Sequence, residues 1–276
     1  SFCCSRPALP SSSPHPPVCV SIPDRTRLLH AMPGYRGCGI PWRCLRRQSI
    51  EPPATEEKLR ALLETHGIDT SDYGAGDTKT VGALLRELSE GSCRLEVERR
   101  SGKLCRYVEP VFVQLRYSDK VLVETARTLP GGRLRACRSL LTEKREPGDR
   151  DAFEAALRGL RQKLGLEASK RLQGLAHCSQ EDVTFTDSKD SASYPGIPAV
   201  YLTHYVHLLV LEGSDAEAAF KACGLPGGEA FETEEAKCNG VVRFSWEWAD
   251  LQESRVSGVK GFPGRDRRGS LCSVDG

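Results

Sequence analysis

No stretch of eighteen apolar residues occurs anywhere in the 276-residue chain, which excludes a membrane-spanning helix. No C-x-x-C pair occurs among its twelve cysteines, at positions 3, 4, 19, 38, 44, 93, 105, 137, 178, 223, 238 and 272. A zinc site or a disulfide framework would show such pairs at regular spacing. The thiols are therefore expected to be reduced, intracellular and in part packed as small hydrophobes. No lysine and a single acid, Asp24, occur in residues 1–50, against seven arginines. That head carries +6 and leaves −4 for the remainder of a chain whose net charge is +2. A basic head on a mildly acidic body argues against a nucleic-acid reader with a basic domain surface.

What is present suffices for one core, with an apolar fraction of 39%. Residues 1–53 hold ten of the seventeen prolines and show no hydrophobic period, so this head is expected to be disordered. Its Arg- and Ser-rich, acid-poor composition also resembles an organelle transit peptide, although the prolines spoil an amphipathic helix. The cytoplasm is the default compartment, with organelle targeting by the head as the alternative. Residues 54–92 form a helical lead-in. EEKLRALLET puts Leu59, Leu62 and Leu63 on one stripe, ending near His66 and Gly67, and Thr80 caps VGALLRELSE, with Val81, Leu84, Leu85 and Leu88 apolar. Both helices are too short to stand alone in water, so they are expected to pack on the domain that follows, residues 93–253. Residues 254–276 read as a flexible basic tail.

Strand patterns follow at 94–100, 104–117 and 121–127, and again at 183–186, 199–211 and 241–248, with a helix at 216–223. Between the two sets stands the strongest single element. Leu129, Pro130, Gly131 and Gly132 form a corner, a polar loop ends in Pro147, Gly148 and Asp149, and AFEAALRGLRQKLGLE runs from Ala152 to Glu167. Phe153, Ala156, Leu157, Leu160 and Leu164 make its apolar stripe.

This segment resembles the signature of the Nudix hydrolase family, G-x5-E-x7-R-E-U-x-E-E-x-G-U, where U is aliphatic. Arg158 matches the arginine, Leu160 the first aliphatic position, Gly165 the glycine and Leu166 the last aliphatic position. The preceding KVLVETARTLPGGRL, the small pair Ala155 and Ala156, and the later SYPGIPAVYLTHYVHLLVLEG and FETEEAKCNGVVRFSWEWADL extend the resemblance over roughly residues 94–253. It implies an α/β fold, a Nudix-like α/β/α sandwich with a mixed sheet, flanked by disordered tails. Fifteen residues separate Gly132 from Gly148, and counting back from Arg158 puts Lys144 at the first box glycine and Arg150 at the first box glutamate. The loop is either expanded or rebuilt.

The carboxylates are missing where the family has them, replaced by Gly159, Gln162 and Lys163. Spaced i, i+3, i+4, the three share one helix face. Three carboxylates there could converge on a hard divalent cation. Instead Lys163 puts a charge where the cation would sit, and two like charges about 4 Å apart repel by roughly 4 kcal/mol at an effective dielectric near 20. The expectation is a domain without standard pyrophosphohydrolase activity that binds a nucleoside diphosphate-type ligand or a protein partner. An active Mg2+-dependent hydrolase with relocated metal ligands is the alternative, and a scaffold is a third reading; whether the chain is an enzyme stays open. Gly131, Gly132 and Arg133 are candidate ligand contacts. Arg158 is expected to pair with Glu154 one turn earlier. Glu143, Glu146 and Asp149 before the helix, and Glu232, Glu234 and Glu235 in FETEE, read as solvated surface, or as a rebuilt weak metal site should they fold over the box face.

His204 and His207 fall on opposite faces of a strand, which disfavours a shared metal. Ser49 and Ser270 sit in R-R-x-S-aliphatic sequences that resemble the consensus of basophilic kinases such as the cyclic-AMP-dependent kinase, in segments expected to be unfolded. A phosphate there would add about −1.5 to −2 charges to a basic tail.

Overall fold

The computed structural model describes residues 47–263, apart from 77, 100, 167–174, 178–181, 189–190, 192 and 238–239. In chain order the elements are β1 (Arg47–Ser49), α1 (Glu56–Thr65), α2 (Val81–Ser89), β2 (Arg94–Glu98), β3 (Leu104–Val108), β4 (Pro110–Tyr117), β5 (Lys120–Thr128) and β6 (Leu134–Lys144). There follow α3 (Ala152–Leu164), β7 (Leu175–His177), β8 (Asp182–Ser188), β9 (Ala199–Val210), α4 (Asp215–Ala219) with a 3-10 turn at Phe220–Cys223, β10 (Phe231–Lys237), β11 (Gly240–Asp250) and α5 (Leu251–Val256).

The helices start where short polar side chains can take up the first free amides. Thr55 accepts from Lys58 N at 3.3 Å, Thr80 from Ala83 N at 3.1 Å and Asp151 from Glu154 N at 2.9 Å. Gly165, in the left-handed region at φ 66, ends α3. Among the described residues, no helix is long and apolar enough to cross a membrane.

Eleven strands form one mixed sheet in the order β1-β2-β3-β9-β4-β6-β5-β11-β10, with β7 and β8 on β9. β9 runs parallel to β3 and β4 and antiparallel to β7 and β8. Side-chain alternation assigns the layers. Val111, Val113 and Leu115 of β4 share a core with Ala155, Ala156, Leu160 and Leu164 of α3. Phe112, between them, stacks on Tyr205 of β9 and belongs to a core with Val121, Val123, Leu140 and Leu251 of α5. Leu59, Leu63, Leu84 and Leu88 of α1 and α2 pack on Leu95, Leu104 and Val108, with Tyr201 of β9 against them. Tyr201 and Tyr205 are four apart on one strand, so α1, α2 and α5 lie on the face opposite α3. The fold is α/β, a mixed sheet between helical layers.

Four expectations are corrected. The polar loop between Gly132 and Gly148 is largely strand β6, Leu134–Lys144, in which Arg138 and Lys144 share the parity of Leu134, Ala136 and Leu140 and so hide the strand period. The single strand expected over 104–117 is two, interrupted at Glu109, which turns to meet Arg94 and Arg145. The head is ordered at its end: β1 pairs with β2 through Arg47↔Glu98 and Ser49↔Glu96, and Ile50 packs beside the α1–α2 core. Order also runs past Glu253, because Lys260 bridges to Ser139 and Val259 and Phe262 join the α5 core.

Candidate functional site

The face of α3 that meets β6 is set by Gly159 and Lys163. A Cβ at Gly159 would lie 3.2 Å from Leu141 Cδ2 and 3.3 Å from Glu143 Cβ, so the glycine lets helix and strand close up. One turn on, the Lys163 side chain passes into this seam. Its Nζ donates to Thr142 O, lies 3.4 Å from Glu143 Oε2 and sits 6.0 Å from the Phe244 ring centre. The residue is 6% exposed, and burial pulls its ammonium below the ordinary lysine value, against the opposing charge of Glu143. Gln162 is exposed and does not join them. The expected three-residue face thus reduces to Gly159 and Lys163, because the buried arc of α3 runs from Ala155 through Gly159 and Lys163 to Leu160 and Leu164, and Gln162 falls just beyond its edge.

Arg158 organises the carboxylates that precede the helix. It donates to Asp149 through Nε at 3.2 Å and Nη2 at 2.9 Å, and to Lys144 O at 2.6 Å. Its Nη1 lies 3.0 Å from Glu146 and 3.6 Å from Glu143. The expected partner Glu154 instead binds Arg150 N at 2.7 Å and Arg150 Nε at 3.2 Å. The tertiary fold overrides the i, i+4 geometry by supplying three carboxylates at once. Glu143 and Asp149 are accordingly largely buried rather than solvated, and Glu146 stays half-exposed. Burial raises the Asp149 carboxyl, and the bonds from Arg158 and from Glu146 N, with the charge of Arg145, outweigh it and leave it below its usual range. Burial is also the main cause that lifts Glu146 above its own, with Arg158 opposing.

The FETEE acids separate by strand alternation. Glu232 and Glu234 point away from α3, Glu234 pairing with Arg243 at 2.6 Å and Glu232 accepting from Ser245 Oγ at 3.2 Å. Glu235 is buried on the α3 side, where Oε1 meets Lys237 at 2.8 Å and Oε2 has no hydrogen-bond partner. Among the described residues, no group of three or more His, Cys, Asp or Glu is arranged to hold a metal ion. His204, buried on β9, lies 3.7 Å from Glu109, and His207 occupies the other face.

Gly131 and Gly132 form the turn of the β5–β6 hairpin, both at positive φ, 89 and 84, with Leu129 N donating to Arg133 O at 2.9 Å. The Leu-Pro-Gly-Gly corner therefore lies a full strand away from α3 rather than in the loop that leads into it. Arg133 is exposed at the same tip. Ser49 lies on β1, and Ser270 lies outside the described residues.

Sequence reasoning missed the part contributed by β5 and β6. Glu124, 1% exposed, holds Arg127 by two bonds of 2.8 Å and accepts from the Cys137 thiol at 3.3 Å. Burial, then Glu124, pushes that thiol up to about 11, which removes it as a nucleophile at neutral pH. Arg127 stands directly opposite Arg135 across the hairpin, 5.0 Å from the Phe244 ring. Arg135 is exposed and has no carboxylate partner among the described residues. The only signal was the i, i+3 spacing of Glu124 and Arg127 in VETAR. No protein-family model matches the chain, and no curated protein matches it.

Proposed function

We propose that this is a Nudix-like binding module without standard pyrophosphohydrolase activity, whose ligand is anionic and of the nucleoside diphosphate class. One observation carries the reading: the buried ammonium of Lys163, 3.4 Å from Glu143 at the seam of α3 and β6, stands where a divalent cation would need carboxylates. Arg158 engages Glu143, Glu146 and Asp149 beside it, so the acids nearest the helix are already balanced by fixed cations. On the same side of the sheet, Arg127 and Arg135 stand side by side, Arg127 held by Glu124 and Arg135 with no carboxylate partner among the described residues. Adjacent guanidiniums repel unless an anion joins them, and their planar forks suit phosphate oxygens.

The test uses the full chain with Mg2+ and a set of nucleoside diphosphate derivatives. Hydrolysis should not exceed that in buffer, while calorimetry detects binding that weakens about tenfold in Arg135→Ala, the loss of one charge-assisted contact. Turnover abolished by a chelator would overturn the reading in favour of a hydrolase with relocated ligands. Absence of binding by every derivative would remove the ligand class and leave a protein partner.

A further inference from the structure

Four strands at one end of the sheet, β6, β5, β11 and β10, finish in two open edges of opposite character. Among the described residues, positions 134–137 of β6 have β5 on one side and no strand on the other, since β4 pairs only with positions 141–144 and Lys260 takes up Leu140 N and Arg138 O. Nor does any described strand lie beyond β10. The first edge is basic, with Arg135 on the α3 side and Arg138 on the α5 side, where it meets Glu247. The second is acidic, with Glu235 on the α3 side and Glu232 and Glu234 on the α5 side. Both leave contacts unmade. Glu235 Oε2 is buried without a hydrogen-bond partner, and Arg135 is exposed without a carboxylate among the described residues. Leu134, 66% exposed, and Val241, 50% exposed, are the large apolar side chains that these four strands leave open to solvent.

We propose that these edges join copies of this chain, β10 of one copy pairing antiparallel with β6 of the next. The strand directions allow it. Each neighbouring pair from β6 to β10 is antiparallel, so β6 and β10 run oppositely, and a second copy set beside β10 in the same orientation continues the sheet with its α3 on the same side. Charge fixes the register. With Ala236 opposite Leu134 of the second copy, Glu232 faces that copy's Arg138 and Glu235 faces its Arg135, within reach of a cross-strand pair. The unmatched oxygen of Glu235 thereby gains a guanidinium. Val241 stands directly beside Ala236, so the incoming leucine lies over the small alanine and meets Val241. A register two residues back sets Glu234 against the leucine and Thr233 against Arg135, and neither match is made. Lys237 and Arg133, of like charge, fall past the end of the pairing, where Lys237 stays on its own Glu235 at 2.8 Å. The contact runs from one edge to the opposite edge, so it repeats from copy to copy. Arg135 then serves either a neighbour's Glu235 or a ligand phosphate, and the association does not depend on the ligand reading.

Sedimentation of the full chain, in reducing agent and without nucleotide, tests this. One strand edge is a small contact, so the average mass should rise past that of a dimer between about 1 μM and 1 mM. Two variants each block one edge through exposed side chains. Leu134→Lys with Arg135→Glu sets charge against Val241 and Glu235, and Glu232→Lys with Ala236→Lys sets charge against Arg138 and Leu134, in the way lysines blunt natural sheet edges. Near-UV circular dichroism checks both folds. Should either spectrum change, Ala136→Pro replaces the first variant, since an edge strand tolerates proline, and Glu232→Lys alone replaces the second. Each variant by itself should stay monomeric. Mixed in equal amounts, the two should form a dimer and stop there, because each supplies the edge that the other has lost. A monomeric wild type, a variant that associates as wild type does, or a mixture that stays monomeric would overturn the proposal. A dimer of the second variant alone would do the same, by pairing β6 with itself.

Discussion

Replacing Lys163 by glutamate inverts the charge at the seam of α3 and β6, and its consequences can be worked through. The ammonium lies 3.4 Å from Glu143 Oε2, an attraction of about 5 kcal/mol at an effective dielectric near 20. In Lys163→Glu it becomes a repulsion of similar size, a swing of roughly 10 kcal/mol that is comparable to the whole stability of a domain. The protein has a less costly escape, which is for one carboxylate to take up a proton. From an ordinary glutamate pKa of about 4.3, remaining protonated at pH 7 costs about 4 kcal/mol. That figure caps the repulsive part of the loss, and the cap falls as pH drops toward 4.3. Urea unfolding in a chelator should therefore find the variant at least about 4 kcal/mol less stable than wild type at pH 7, with a deficit about 3 kcal/mol smaller at pH 5. A divalent cation can now replace the missing charge, so Mg2+ or Mn2+ at a hundred times its Kd should restore about 2.7 kcal/mol to the variant, and nothing to the wild type. Equal stability of the two proteins at pH 7 in chelator would refute the reasoning, as would Mg2+ stabilising both alike.

A second ionic centre makes its own pH prediction. Glu87, on α2, meets Lys79, Lys144 at 3.2 Å, Arg106 at 3.5 Å and the Tyr194 hydroxyl at 3.2 Å. Burial raises its carboxyl, but Lys144, Lys79 and Arg106 outweigh burial and hold it at about 2. Because the folded value is depressed, the stability it contributes is complete above the unfolded value near 4.5 and drains away as pH falls toward 2. Glu87→Gln should cost about 3 kcal/mol at pH 7, by leaving Arg106 buried and uncompensated, and should flatten the stability profile across that window in guanidinium unfolding. Phosphopeptide mapping of the full chain with a basophilic kinase should find Ser270 modified and Ser49 spared, since Ser49 is paired with Glu96 in β1. Labelling of Ser49 at the rate of Ser270 would mean that β1 detaches readily.

The elements legible in the sequence are those with local chemistry. Thr55, Thr80 and Asp151 mark helix starts by their own side chains, Gly165 ends α3, and the apolar stripe through Leu160 and Leu164 is read at sight. β6 was illegible because its residues answer to three environments in turn: open face at Leu134, helix seam at Glu143 and ion cluster at Lys144. No single period survives that. Of the candidate site, the charge at Lys163 was legible from one residue, whereas the partner of Arg158 was not. Asp149 and Glu143 reach it only after the chain has turned through β6 and back. Glu124, Arg127 and Arg135 were invisible for a related reason, since their meeting depends on hairpin register rather than on spacing.

β9 carries residues that touch all three of the hydrophobic cores described above. Its early residues lie against β3 beside the α1–α2 core, Tyr205 carries the stack with Phe112, and Val206, Leu208 and Val210 close the core under α3. A splint of this kind ties three hydrophobic clusters to one fate. Loss of the lead-in helices would strip Leu95, Leu104 and Val108 of cover, next to the strand that shares its register with β4. Denaturation of the described region should then trace one sigmoid by every probe, and a cut at residue 93 would yield an insoluble fragment rather than a smaller domain.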